Sequence, residues 1–308
     1  MIEILITILP LFLIIFASAI IERFTHIGET WSPTLNEFAL RVGFPVLIFS
    51  SLVQHPFSLF QQWPLIVSNS LLILSGFVLA FLLGKILHLS PQNFRTFFIC
   101  IVFGNVAYLG IPIIVQTLGE QALPSTGLVI ATYLFWLFTL GIGYLEHSLK
   151  KDTSTITRDI FKNLLKNPLL IAVVLGVILS GMSVSLPPLF VETLTIVKAS
   201  VTPLILIVIG LFIGKSHIGN IREWIPVAGF SFLTLFLLPG FFFVSLLFLG
   251  FSPKDFSISI IEAGMPLAVT AFALVDQYKL NKIFIARTVV LSTIFSIFSL
   301  AFWIALLS

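Results

Sequence analysis

The dominant pattern along the chain is a series of long apolar stretches separated by short polar ones. A helix needs about 20 apolar residues to cross the hydrocarbon core of a bilayer, and ten windows of this kind are bounded by charged residues, glycine or proline. They cover residues 2–21, 35–53, 64–87, 94–117, 123–145, 168–182, 189–213, 224–249, 256–275 and 283–307. The pattern predicts an all-α membrane protein with ten transmembrane helices, numbered here as spans 1 to 10.

Composition supports a membrane protein over a soluble enzyme. Hydrophobic residues make up 58% of the 308 residues and charged residues only 9%, with a mean hydropathy of +1.14. An ordinary globular domain carries about 25% charged residues, so most of this surface must face lipid. The net charge of +3 is too small to suggest a nucleic-acid partner.

Metal and disulfide chemistry are not expected. The single cysteine, Cys100, lies within an apolar window, which excludes a disulfide framework and a thiolate metal cluster. The five histidines lie in or beside loops without clustered carboxylates, so none is predicted to bind a metal. The sequence therefore predicts no cofactor.

The distribution of basic residues predicts the orientation. Of the 16 Lys and Arg residues, 12 lie in or at the edge of the odd-numbered loops between spans, with Lys85 and Arg95 at the span ends beside the third loop, and only Lys254 lies in an even-numbered loop. Cytoplasmic loops carry the excess of Lys and Arg in multi-pass proteins. We therefore expect the odd-numbered loops in the cytoplasm, both termini on the extracytoplasmic side, and the protein in a bacterial inner membrane.

One long polar segment divides the chain into halves of five spans each. Residues 1–145 form the first half, residues 146–167 a partly amphipathic cytoplasmic linker, and residues 168–308 the second half. Because each half has an odd number of spans, similarity between the halves would mean an inverted repeat, which is common in secondary transporters.

The two halves share several landmarks in the same order. A cation followed by a proline lies in spans 2 and 7, and the prolines that begin spans 3 and 8 are each followed 27 residues later by a second proline. Spans 4 and 9 contain glycine and proline at mid-span, at Gly104, Gly110 and Pro112 and at Gly264 and Pro266. We interpret this order as an inverted repeat of five plus five helices.

The interruptions in spans 4 and 9 are the chemically informative feature. Proline removes a backbone donor and disturbs the preceding turn, and the freed backbone groups cannot face lipid. If the two spans cross at their breaks, the N-termini of half-helices would present N–H groups that hold an anion such as a carboxylate. The alternative is that proline merely kinks a helix, and for Pro45, Pro203 and Pro239 we favour that alternative.

Three motifs resemble the auxin efflux carrier family, whose bacterial members are similar to plant auxin exporters and to malonate or malate permeases. They are GNVAYLGIP at 104–112, FPVLIFSSL at 44–52 and MPLAVTAFALVDQYKLN at 265–281. The resemblance implies two inverted repeats, with spans 4 and 9 broken and crossing, as in bile-acid/sodium symporters. Plant exporters have a second proline in span 9 where this chain has Ala271, which favours a milder break in span 9 than in span 4.

The resemblance also implies a mechanism and an assembly. Spans 3–5 and 8–10 would form a transport domain that moves like an elevator. Spans 1, 2, 6 and 7 would form a scaffold and the contact of a homodimer.

Candidate substrate-binding residues lie at or near the breaks. Asn105 offers both a donor and an acceptor, with a structural cap as the alternative, and Tyr108 could pack against an organic substrate. The complete set predicted to bind substrate is Asn105, Tyr108, Gly110, Pro112, Gly264, Pro266 and Thr270.

Four charged residues within the predicted spans are candidates for a functional role. Glu262 is a candidate for ion coupling, as a proton acceptor, or a partner of Arg287; the alternative is a side chain near the outer end of span 9 that reaches water. Arg41 could neutralise an anionic substrate, but snorkelling to the interface is the favoured interpretation. Lys198 either snorkels or neutralises an anionic substrate, and Arg287 is expected at the interface.

No enzymatic motif is present. His-Glu-x-x-His, Gly-x-Ser-x-Gly and a Walker loop are all absent from the sequence. We therefore predict a secondary active transporter of a small organic anion, driven by a proton or sodium gradient or by the substrate's own gradient. The alternative is a channel or receptor on the same ten-helix frame, without coupled transport.

Overall fold

A computed structural model describes residues 1–55, 59–149, 152–216 and 221–308. Within these ranges the regular structure is helical, apart from one isolated β-bridge between Gly104 and Leu267. The predicted all-α class is therefore confirmed. The basic loop residues Lys150 and Lys151, and His217, lie outside the described residues.

Seven helical stretches are long and apolar enough to cross a membrane. They correspond to spans 1, 2, 3, 5, 7, 8 and 10, with the bounds Ile2–Thr25, Gly28–Gln54, Phe60–Ile86, Glu120–Ser148, Pro188–Lys215, Arg222–Phe248 and Lys282–Leu307. The described residues thus hold seven candidate membrane crossings, or eight if a bent pair of helices is counted as one more. Spans 4, 6 and 9 each contain helix but do not meet this criterion alone.

Span 2 begins earlier than its hydropathy predicts. The expected start was residue 35, whereas the helix begins at Gly28 and includes Glu29, Ser32 and Asn36 in its first turns. A hydropathy window excludes such polar positions, although polar side chains on a helix are stable where they line a cavity inside the protein. Glu29, Ser32 and Asn36 in these turns line a cavity inside the protein.

Span 6 is short and follows a bend. The helix Thr153–Lys166 ends before Asn167, and the helix Pro168–Gly181 then starts at an angle of 55°. A residue before proline is held in an extended conformation, and Asn167 has ψ 114°. Its side-chain oxygen accepts hydrogen bonds from the backbone N–H groups of Leu169 and Leu170, which caps the new helix.

Spans 4 and 9 are both interrupted, as predicted, although in span 4 only Gly104 lies in the break, whereas Gly110 and Pro112 lie in the helical stretch that follows. Span 4 consists of Pro91–Val102 and Val106–Leu118, separated by residues 103–105. Span 9 has an α-helix only over Ser257–Ala263 and resumes as a single 3₁₀ segment, Val269–Leu274. The expectation of a milder break in span 9 is therefore wrong, because one proline and one glycine suffice there to replace helix by extended backbone at Ala268.

Two groups of spans have their main contacts within the group, although span 1 also contacts spans 4 and 10 and span 2 contacts span 5. Span 1 packs along span 7, and span 2 packs against spans 6 and 7; span 3 packs against spans 4 and 5, and span 8 packs against span 10. The contact of spans 1 and 7 is close because a Cβ on Gly210 or Gly214 would lie 2.3 Å from the carbonyl oxygen of Ile15 or Ala19. Glycine is therefore needed at both positions.

Candidate functional site

The two interruptions are hydrogen-bonded to each other. The backbone N–H of Asn105 donates to the carbonyl of Pro266 at 2.8 Å, and the N–H of Ala268 donates to the carbonyl of Phe103 at 2.9 Å. These bonds flank the antiparallel bridge between Gly104 and Leu267. Buried backbone groups require partners, and here each interruption supplies partners to the other. Spans 4 and 9 therefore cross at their breaks.

Spans 5 and 10 support the crossing from both sides. The N–H of Leu267 donates to Ser292 Oγ at 3.1 Å, and Ser292 Oγ donates in turn to the carbonyl of Thr288. From span 5, the hydroxyl of Tyr133 donates to the carbonyl of Val102 at 2.6 Å. The sequence reasoning missed Ser292 and Tyr133, since nothing local to either residue indicates its distant partner.

The two half-helices that start at the crossing are unequal. After Asn105 the chain runs helically from Val106 to Leu118, so the N–H groups of its first turn lack partners within the helix and form a positive dipole end. After Ala268 the helix is only a six-residue 3₁₀ segment. The pair of matched dipole ends expected from the inverted repeat is thus reduced to one substantial helix N-terminus.

Six of the seven predicted substrate-binding residues are buried around the crossing. Asn105 is 2% exposed and Tyr108 is 4% exposed. Gly110, Pro112, Gly264 and Pro266 are also buried, whereas Thr270 is half-buried. Asn105 Nδ2 has no hydrogen-bond partner among the described residues. This amide is therefore available to a ligand that reaches the crossing.

Tyr108 contacts span 2 rather than an open space. Its hydroxyl donates to Asn36 Oδ1, and its ring packs against Phe44 with centroids 5.1 Å apart. In this conformation the hydroxyl is occupied by Asn36, a residue that the sequence reasoning did not select. The two side chains link the part of span 4 after its break to span 2.

A cavity of about 750 Å³ lies between spans 2 and 7 on one side and spans 9 and 10 on the other. We call it the larger cavity; its size is typical of sites for small organic molecules. Val208, Leu211, Phe212 and Phe272 contribute apolar walls. The polar lining includes Ser32, Asn36, Lys215, Thr270 and Lys282. Thr270 is the one predicted substrate-binding residue that lines it.

The larger cavity carries an excess of positive charge. Lys215 Nζ lies 2.9 Å from Glu29 Oε1, so the charges of these two residues neutralise each other. Lys282 Nζ lies 5.4 Å from the centroid of the Phe272 ring, a cation–π contact. Phe272 also packs edge-on against Phe212, with centroids 5.2 Å apart. Lys282 was counted from the sequence only as a loop cation; its position at the start of span 10 is the signal that was available.

Glu262 lines a second, smaller cavity of about 80 Å³, together with Asn69, Gly104, Tyr133 and Thr234. The residue is 5% exposed, and both carboxylate oxygens lack a hydrogen-bond partner among the described residues. The alternative of a side chain that reaches water is therefore wrong, because the carboxylate is enclosed.

The three predicted cations all pair with carboxylates outside the two cavities. Lys198 Nζ lies 2.5 Å from Glu120 Oε2, and Arg41 contacts Glu37 at 3.1 Å with 74% of its side chain exposed. Arg287 pairs with Glu223 instead of Glu262. The structure does not bring these cations to the crossing.

An all-helical, lipid-facing chain with two interrupted segments that pair beside a cavity belongs to the class of multi-pass membrane transport proteins. Residues 3–304 match the family model described as "Membrane transport protein". The chain therefore belongs to this family, and the resemblance to auxin efflux carriers is confirmed. Membership in a transporter family also agrees with the expectation that the chain is not an enzyme.

Two archaeal relatives match almost the whole chain. An uncharacterized transporter of Methanocaldococcus jannaschii is 25% identical over 293 residues, which cover 91% of both chains. An uncharacterized transporter of Methanothermobacter thermautotrophicus is 27% identical over 302 residues, which cover 96% of both chains.

Proposed function

We propose that this protein is a secondary active transporter of a small organic anion, a carboxylate. The observation that carries the proposal is the larger cavity, whose cationic and polar groups meet apolar walls beside the crossing. A carboxylate bound near Lys282 and Thr270 would meet a positive charge and a hydroxyl donor. The apolar part of the same molecule would pack against Phe212 and Phe272.

The proposed architecture is ten spans in two inverted repeats, 1–145 and 168–308, joined by the linker 146–167. Spans 1, 2, 6 and 7 form the scaffold and the contact of a homodimer, and spans 3–5 and 8–10 form the transport domain. The packing of span 1 on span 7 and of span 2 on spans 6 and 7 supports this division. The larger cavity supports it too, because its walls come from both groups.

Elevator-like alternating access follows from this division. The wall from spans 9 and 10 would move across the membrane with the bound anion, while the wall from spans 2 and 7 stays in place. In the proposed orientation, with both termini on the extracytoplasmic side of a bacterial inner membrane, Glu29 and Lys215 lie at the cytoplasmic end of the larger cavity. The conformation described above is then open to the cytoplasm.

We propose that Glu262 couples transport to a proton. Sodium would need several oxygen ligands, whereas the smaller cavity offers one carboxylate among largely apolar walls. Uptake of a proton neutralises that carboxylate, and an unpaired carboxylate is costly to keep in a low-dielectric site. The other predicted residues at the crossing, from Asn105 to Pro112 and from Gly264 to Thr270, would shape the path between the two cavities.

Counterflow in proteoliposomes tests the transport proposal. A thermal-shift panel of carboxylates selects the substrate, and labelled substrate should then accumulate transiently against an excess of unlabelled substrate. Lys282→Gln should raise the half-saturating concentration at least tenfold. Lys85→Gln removes an exposed cation away from both cavities and should behave as wild type. Conductance far above carrier turnover, without counterflow, would instead identify a channel.

A further inference from the structure

The linker contains an amphipathic helix, Thr153–Lys166, that the transport proposal does not use. It lies between the two halves of the chain and leads through Asn167 directly into the apolar helix Pro168–Gly181, with a bend of 55°. In the proposed ten-span architecture span 6 enters the membrane at Pro168, so the preceding helix lies close to the level where the bilayer begins.

One apolar edge of this helix docks on the protein. Ile156 is 8% exposed, and the Cδ1 of Ile160 would lie 3.2 Å from a Cβ built on Gly143. Ile156 and Ile160 also line another cavity, together with Tyr144 and His147 at the end of span 5. This edge therefore fixes the rotation of the helix about its axis.

The fixed rotation leaves a second apolar edge uncovered. Phe161 is 64% exposed and Leu165 is 61% exposed, and residues four apart lie one above the other on a helix. A row of cations lies next to this edge, since Arg158, Lys162 and Lys166 repeat at the same spacing and are all exposed. The one carboxylate of the helix, Asp159, contacts Arg158 only at 3.9 Å.

This arrangement fits a membrane surface. A helix that lies in the interface places apolar side chains below the headgroups and Lys or Arg side chains at the level of the phosphates. Cations near the surface are attracted to anionic lipids. A second copy of the same helix is a poorer occupant, because it would bring two rows of cations together.

We propose that the helix Thr153–Lys166 binds anionic phospholipid headgroups, with Phe161 and Leu165 inserted at the headgroup boundary and Arg158, Lys162 and Lys166 on the phosphates. The helix thereby ties the end of span 5 to the lipid leaflet. This inference rests on the linker and on the proposed membrane entry of span 6, and it is independent of the substrate and of the coupling ion.

Site-directed spin labelling tests the proposal on the full-length protein. Cys100 is buried, so single cysteines introduced as Phe161→Cys, Leu165→Cys or Asn163→Cys can be labelled in lipid nanodiscs. Asn163 is exposed and lies on the polar face, so it is the control position. The nanodiscs contain either phosphatidylcholine alone or an equimolar mixture with phosphatidylglycerol.

In anionic nanodiscs, labels at 161 and 165 should be severalfold more accessible to oxygen, relative to a water-soluble nickel reagent, than the label at 163. This relative oxygen accessibility should also be higher in anionic than in neutral nanodiscs. Combining Arg158→Gln, Lys162→Gln and Lys166→Gln should abolish that difference between the two lipid compositions. The matched triple variant Arg23→Gln, Lys85→Gln and Lys279→Gln removes three exposed cations elsewhere and should retain it.

Three results would overturn the proposal. Equal exposure of labels 161, 165 and 163 to the nickel reagent would place the helix in water. Equal insertion in neutral and anionic nanodiscs would remove the recognition of anionic headgroups. Protection of labels 161 and 165 from both reagents would mean that protein, not lipid, covers this edge.

Discussion

The carboxylate of Glu262 lies directly against Gly110. A Cβ built on Gly110 would be 2.6 Å from Oε2 and 2.8 Å from Oε1 of Glu262, a distance that real Cβ atoms do not reach. Gly110 belongs to the half-helix after the break in span 4, and Glu262 belongs to the helix before the break in span 9. The crossing of spans 4 and 9 thus places the carboxylate of Glu262, in the second half of the chain, against Gly110 in the first half.

Gly110→Ala should displace the Glu262 side chain and destabilise the protein by about 1–3 kcal/mol, the usual cost of overpacking. Thermal unfolding of the purified protein in detergent measures the effect. The control is Gly229→Ala, where a Cβ meets nothing within 4 Å; relief of helical glycine should stabilise that variant by roughly 0.5–1 kcal/mol.

A double variant separates the proposed clash from a general effect of the alanine. If the contact with Glu262 causes the loss, Gly110→Ala combined with Glu262→Ala should be more stable than the sum of the single changes predicts. Strict additivity would contradict the contact.

Glu262→Gln should uncouple transport from protons while keeping the shape of the smaller cavity. The variant should retain counterflow of the labelled carboxylate but lose accumulation driven by a proton gradient, because a glutamine cannot take up the proton. Proteoliposomes with an imposed pH difference measure both activities. Glu192→Gln, which neutralises an exposed carboxylate of span 7, should keep both; unchanged proton-driven accumulation in Glu262→Gln would exclude this residue from coupling.

Ser292→Ala should leave the buried N–H of Leu267 without its partner, at a cost of about 1–3 kcal/mol. Ser299 provides a matched control on the same helix, since it is fully buried and its hydroxyl has no partner among the described residues. Ser299→Ala should therefore be neutral or stabilising. The melting temperature of Ser292→Ala should therefore be lower than that of Ser299→Ala. Equal decreases in melting temperature would contradict a role for Ser292 in stabilising the crossing.

Tyr108→Phe should weaken the tie between span 4 and span 2 while keeping the ring contact with Phe44. Loss of the hydrogen bond to Asn36 should cost the present conformation about 1 kcal/mol, a factor of about five in a conformational equilibrium. The labelling rate of a Ser32→Cys reporter, which lies in the larger cavity, measures that conformation.

Tyr144→Phe is the control for this change. The Tyr144 ring packs against Phe81, and its hydroxyl has no hydrogen-bond partner in the part of the chain that the structure describes. Labelling of the reporter should be unchanged in this control. The same rate in the Tyr108→Phe variant would mean that the hydrogen bond to Asn36 does not stabilise the open cavity.

The sequence by itself determined where the chain is apolar and where its helices are interrupted. Both are local properties: about 20 apolar residues in succession require lipid or a core, and Gly104, Pro112, Gly264 and Pro266 disturb helices through their own backbone chemistry. The motif around Asn105 and the family follow from the same local pattern.

Only the tertiary structure decided which groups meet. The pairing of Gly104 with Leu267, the contact of Glu262 with Gly110 and the ion pair of Arg287 with Glu223 depend on how far each helix is rotated and shifted against its neighbours. When a helix is apolar on every side, as spans 3 and 10 nearly are, its hydropathy does not indicate which face packs against its neighbours. For that reason the sequence located the breaks, whereas the packing of whole helices selected the partners and opened the cavity beside Lys282.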